Sequence, residues 1–185
     1  MKQKLMPTIV LMAICIVVSG LLIFAYNLTY VDTTGVLTDD LKEGCEAVFG
    51  EGEYTIMTVT NDDGSLVPVA FEGAVSVIKD AQGNCLVEVI ASGFEKDSIH
   101  LVVGFNKDGD DVKGVGLIKI ADSPSQSAKV SEKGFLDSFI GLKTPDEISG
   151  VDVVSRATYS SKGIKSAVEA AVNVYNQNKE AIFSE

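Results

Sequence analysis

The chain has 185 residues, 26 of them acidic and 15 basic, for a net charge of −11. That balance argues against nucleic acid as a partner, and against lying on an anionic lipid surface. The length suits one domain of ordinary size plus a leading segment.

The leading segment comes first in chain order. From Met6 to Tyr26 no residue is charged, and the run carries Ile9, Val10, Leu11, Ile14, Ile16, Val17, Val18, Leu21, Leu22, Ile23 and Phe24. About 20 such residues cross a bilayer core. Lys2 and Lys4 precede the run, whereas Asp32, Asp39 and Asp40 follow it. The excess of lysine before the run puts the N-terminus in the cytoplasm and the chain from about residue 30 onward outside it. The run is longer than the core of a cleaved signal peptide, and no small-x-small site follows before Tyr30. An uncleaved single-pass anchor over 1–29 and an extracytoplasmic domain over 30–185 are therefore expected. Setting Lys2 and Lys4 aside leaves 13 basic against 26 acidic residues in the exported part. Most of that charge is a solvated face.

Asp39 to Phe49 reads as a helix capped by Thr38, with Leu41, Cys45, Val48 and Phe49 on one side. Strand-like runs follow. Ala74 to Ile78 and Cys85 to Ile90 flank the turn residues 80–84, and His100 to Phe105 and Val112 to Ile120 flank Asn106 to Asp111. The second turn has the composition of a calcium loop but neither its length nor its closing Glu, so it reads as a hairpin. Gly114-Val115-Gly116 lies within a strand with no helix after it, and is no dinucleotide fingerprint. Ser131 is read as the cap of a short helix carrying Phe135, Leu136, Phe139 and Ile140. Hairpins with helices at both ends predict an α+β fold built on a mainly antiparallel sheet.

Cysteine and histidine usage points to no metal. Cys15 sits in the apolar run, Cys45 and Cys85 lack ligand spacing, and whether those two are bridged stays open. The single histidine, His100, falls in a strand-like run and reads as structural.

The informative stretch is Asp152-Val153-Val154-Ser155-Arg156-Ala157-Thr158-Tyr159-Ser160-Ser161. After it, Ile164, Val168, Ala171, Val172 and Tyr175 recur on one side of a helix. Ser160 or Ser161 is the expected N-cap, with Thr158 just ahead of it. A helix start offers unpaired N–H groups and the positive end of the macrodipole. Beside it stand Arg156, the only arginine of the chain, and Lys162. Hydroxyls, a guanidinium and free amides suit a phosphate, although small polar residues before a helix also serve simply as caps.

These residues resemble the attachment motif of the FMN-binding domain family, written roughly Asp-x-x-Ser/Thr-Gly-Ala-Thr-x-Ser/Thr-Ser. Asp152, Ser155, Ala157, Thr158, Ser160 and Ser161 fit; Arg156 stands where the family usually has Gly. If that position needs a positive φ, Arg is strained there; if not, it adds a partner for the phosphate. The resemblance spans roughly residues 70–175. It implies FMN joined covalently through its phosphate to the Thr158 hydroxyl, with the phosphate or its surroundings formed by Arg156, Ser160, Ser161 and Lys162. It also implies recognition of Asp152, Ser155 and Ala157 by a separate flavin transferase. Asp122, Ser123 and Pro124 align with a family loop bordering the isoalloxazine ring, although Gln126 and Ser127 replace its glycine-rich remainder.

One anchor followed by a short exported flavin domain is further similar to the flavin subunits of Rnf-type complexes. That similarity implies an electron carrier in a ferredoxin:NAD oxidoreductase coupled to Na⁺ or H⁺ translocation, partnered by other membrane subunits. No complete active site is expected in this chain alone. A free-standing exported flavin carrier and a cofactor-free structural relative are the alternatives.

Overall fold

The computed structural model describes residues 2–29, 36–61, 64, 66–69 and 71–184. The chain divides into two compact units, Met1–Thr33 and Thr34–Glu185. The expected boundary at residue 30, and Asp32 beyond it, lie outside the described residues.

Among the described residues the first unit holds one helix, α1 (Lys2–Thr29). Its Val10–Thr29 stretch has 20 residues at a mean hydropathy of 2.3, with none of it buried. At 1.5 Å per residue that is about 30 Å, so α1 is long and apolar enough to cross a membrane.

The second unit begins with α2 (Asp39–Phe49), where the Thr38 hydroxyl accepts from the Leu41 amide at 3.2 Å. The strands are β1 (Tyr54–Ile56), β2 (Thr58–Thr60), β3 (Leu66–Pro68), β4 (Ser76–Asp80), β5 (Cys85–Ala91), β6 (Ile99–Phe105) and β7 (Val112–Ile120). Five of them form one antiparallel sheet in the order β1-β4-β5-β6-β7, while β2 and β3 pair separately. Both expected hairpins are present, as β4–β5 and β6–β7. After the sheet come α3 (Pro124–Val130), α4 (Lys133–Asp137), α5 (Pro145–Ser149) and the long α6 (Thr158–Phe183).

Side chains alternate across the sheet, so it buries two cores. Cys85, Val87 and Val89 of β5 join Ile164, Ala167, Val168, Ala171, Val172 and Tyr175 of α6 in the larger one. Each fully buried Val or Ile side chain there contributes about 1.5–3 kcal/mol. Leu86 and Val102 face the other way, toward Leu41 and Cys45 of α2. Cys45 and Cys85 therefore lie on opposite faces of the sheet, both free and buried, and no disulfide joins them.

The glycines of β7 have a packing role that the sequence did not reveal. A Cβ on Gly116 would sit 1.9 Å from the Gly44 carbonyl oxygen. No side chain fits between strand and helix at that point, so α2 rests directly on β7.

The far end of α6 is clamped as well. Tyr175 stacks on Phe105 with ring centroids 4.1 Å apart, and its hydroxyl donates to the Gly109 carbonyl at 2.6 Å. Lys179 pairs with Asp110 in the same turn. One helix thus braces the β6–β7 turn at its end while its start forms part of the candidate site.

Two expectations need correction. Ser131 closes α3 as its C-cap, and the helix with Phe135 and Leu136 is capped by Glu132 and ends at Asp137, ahead of Phe139 and Ile140. The strands β1 to β3 are not legible in the sequence, because runs of three residues carry too little periodicity.

Candidate functional site at the start of the last helix

Residues 150–157 lead into α6 through a chain of small constraints. Lys165 reaches back from α6 and donates to the carbonyls of Ser149 at 2.7 Å and Val151 at 2.6 Å, pinning the segment's beginning. At its end the Ala157 amide donates to the Val154 carbonyl at 3.0 Å, closing a β-turn with Ser155 and Arg156 at its centre. Arg156 has φ 66°. A positive φ at the third position of such a turn is what glycine accommodates, and a side chain there costs about 1–2 kcal/mol. Of the two readings of Arg156, the structure selects the strained one. The guanidinium is exposed and makes no hydrogen bond or ion pair among the described residues.

The helix start differs from the expected one. α6 begins at Thr158, and its N-cap is Ala157, with no side-chain capping bond. Ser160 and Ser161 are the third and fourth residues of the helix and both are fully buried. Ser161 donates to the Ala157 carbonyl at 2.8 Å and accepts from the Val154 amide at 3.0 Å, so it holds the turn closed from inside. Ser160 donates to Oδ2 of Asp122. The expected gathering of the Thr158, Ser160 and Ser161 hydroxyls around one phosphate is therefore reduced. Two of them turn into the protein, and Thr158 alone stays exposed.

Asp122 accounts for much of the local rigidity. It follows β7, is only 5% exposed, and accepts from the amides of Phe94 at 3.0 Å and Glu95 at 3.2 Å. Burial works against its ionisation. Hydrogen bonds from Ser160, Ser98 and the two amides outweigh that penalty and hold the carboxyl below the usual carboxylate range. The loop between β5 and β6, the end of β7 and the first turn of α6 thus meet on one carboxylate. Gly163 closes the same junction, since a Cβ there would lie 2.6 Å from the Ser92 carbonyl.

The remaining residues of the motif divide by exposure. Asp152, Ser155 and Lys162 are exposed, as are Ser123 and Pro124 at the start of α3. Ala157 is fully buried in the larger core, so its side chain is out of reach of any enzyme that meets the folded domain. The Asp122 carboxylate is taken up by protein donors and is not presented to a ligand.

Three residues at this site escape a reading of the sequence. Lys129 of α3 sets its ammonium 3.4 Å from the Ser155 carbonyl, bringing a further cation to the turn. Phe94 and Tyr159 meet edge to face, with centroids 5.9 Å apart, and are 60% and 63% exposed. A phenylalanine in a loop of Ser, Gly, Glu, Lys and Asp was the available signal for this pair.

The donor set suits one end of a phosphorylated ligand. A free hydroxyl stands on the first residue of a 26-residue helix whose opening amides have no side-chain cap, with Arg156 and Lys162 exposed nearby. Residues 93–173 match the FMN-binding domain family. The match runs from the Phe94 loop through Asp122 and the whole 152–161 stretch into the middle of α6. It supports an FMN-binding domain in this chain, and with it a flavin-binding role in electron transfer. No curated protein and no solved structure matches the chain.

Proposed function

We propose that this chain is a membrane-anchored, exported electron carrier whose FMN is attached through its phosphate to Thr158. The observation that carries the proposal is the exposed Thr158 hydroxyl on the uncapped first residue of α6, inside the segment that matches the FMN-binding domain. The macrodipole and free amides of that turn favour the phosphate dianion, and Arg156, Lys162 and Lys129 add positive charge around it. FMN supplies the redox chemistry; the protein's part is to tether and orient it.

Within that reading the chain fits the flavin-carrying component of an Rnf-type complex, working with other membrane proteins of the assembly to couple ferredoxin:NAD electron transfer to Na⁺ or H⁺ movement. What supports it is the order of parts: one helix able to span a bilayer, then a short flavin domain. A flavin transferase would install the cofactor, meeting the exposed Asp152 and Ser155.

The test is intact mass under denaturing conditions after co-expression with a flavin transferase. The parent should carry one FMN-sized increment, and Thr158→Ala should carry none. Thr158 is exposed, so that substitution should change stability by less than about 1 kcal/mol. Thr158→Ser keeps a hydroxyl but loses the methyl that restricts χ1, and should be modified slowly or in part. An increment that persists in Thr158→Ala moves the attachment point elsewhere.

A further inference from the structure

Phe94 and Tyr159 are the only large aromatic side chains of the second unit with most of their surface exposed among the described residues. An aromatic ring offers about 150–250 Å² for burial, and these two leave more than half of theirs in water. The backbone that carries each ring is tied down. The Phe94 amide is bonded to Asp122, and Asp122 accepts from Ser160, the residue next to Tyr159. A single buried carboxylate therefore fixes the backbone beneath both rings. Their planes meet at 77°, which makes a corner of one aromatic face and one aromatic edge. A rigid, exposed apolar corner is a feature that a ligand covers.

The covering group can be named by its chemistry. Tyr159 directly follows Thr158, so a cofactor tethered at Thr158 brings its other end within reach of this corner. Resting on the proposed attachment of FMN to Thr158, we infer that Phe94 and Tyr159 form the seat of the isoalloxazine ring. A flat, largely apolar tricycle stacks on one ring of the corner and meets the other at its edge, the two arrangements that aromatic groups favour. The phosphate end is held by charge and the helix start, the ring end by two aromatic surfaces. Both ends are joined through Asp122.

The experiment uses the full chain, flavinylated by co-expression with a flavin transferase and purified in detergent. Denatured mass, visible circular dichroism of the flavin, and native flavin fluorescence are read for the parent, Phe94→Leu, Tyr159→Leu and Tyr159→Phe. All four should carry the covalent increment. Phe94→Leu and Tyr159→Leu should lose the induced dichroism, because the ring is no longer fixed against the protein. Tyr159→Phe should keep it, yet fluoresce more brightly than the parent, since phenol quenches a stacked flavin by electron donation and phenyl does not. Dichroism and fluorescence equal to the parent's in both leucine variants, with the increment retained, would overturn the seat while leaving the attachment intact. A parent without the increment would overturn the attachment reading, and the seat with it.

Discussion

Ser160 donates its hydroxyl proton to Asp122, tying the first turn of α6 to the end of β7. Both groups are buried, and the same carboxylate holds the loop carrying Phe94. The bond therefore sets the position of Thr158 relative to the neighbouring loop, although neither residue faces solvent.

The acid sensitivity of the fold should follow from Asp122. Its carboxyl is held below the usual range in the folded state, so it contributes stability in full above the unfolded value of about 3.9. That contribution is lost as pH falls through the lower folded value. Asp122→Asn should cost about 1.5–3 kcal/mol at neutral pH, because charge-assisted bonds to buried donors are lost. It should also flatten the decline in stability below pH 4. Thermal melts of both proteins across pH 3–7 test this, and parallel curves would assign the acid sensitivity to another group.

At the neighbouring turn the strain sits on Arg156. Arg156→Gly relaxes a φ of 66° but adds chain entropy to the unfolded state. The net gain should be at most about 1 kcal/mol, a rise of a few degrees in Tm. On the attachment proposed above, flavinylation should survive, because the Thr158 hydroxyl rather than the guanidinium would form the bond. A fall in Tm would mean that the arginine side chain contributes more than its backbone costs.

Cysteine chemistry gives a third expectation. Burial, reinforced by Glu88 and Glu46, pushes the Cys45 thiol up to about 12. Burial does the same for Cys85, which also reaches about 12 with Lys79 pulling down and Asp80 pushing up. In a Cys15→Ser background neither thiol should react with a maleimide at pH 7 until the protein is denatured. Both groups are neutral in the fold above the pH at which they ionise unfolded, so stability should fall as pH rises from about 8.5 toward 12. Rapid labelling of the native protein would show that one face of the sheet opens readily.

A reporter fused after Glu185 tests the topology expected from Lys2 and Lys4. It should be active only on the outer side of the membrane. Activity in the cytoplasm would reverse the orientation and remove the electron carrier from the side proposed for it.

What the sequence disclosed was local, and what it concealed was contact at long range. Thr38 and the 41/45/48/49 spacing are enough to place α2 to the residue, because capping and periodicity are properties of neighbours. The two hairpins are legible for the same reason. At α6 the periodicity marks the helix correctly, but its serines point to a start three or four residues late. They look like caps, whereas Asp122, 38 residues before Ser160, claims one hydroxyl and the preceding turn claims the other. No pattern along the chain announces a partner that far away. The Phe94–Tyr159 pair, 65 positions apart, is hidden on the same ground.

The sheet order has a practical consequence for anyone cutting this protein down. The segment that matches the FMN-binding domain starts at residue 93, yet β6 pairs along its full length with β5, from Cys85 opposite Phe105 to Ala91 opposite Ile99. Excising 93–173 would strip that partner away, leave a central strand with a naked edge, and delete Tyr175 and Ile182 from the core. Such a fragment should aggregate rather than fold. The smallest piece able to stand alone must open no later than Thr38, so that α2 keeps its cap and covers the second face, and must continue through Phe183. The recognisable part of the sequence and the separable part of the molecule are different stretches of chain.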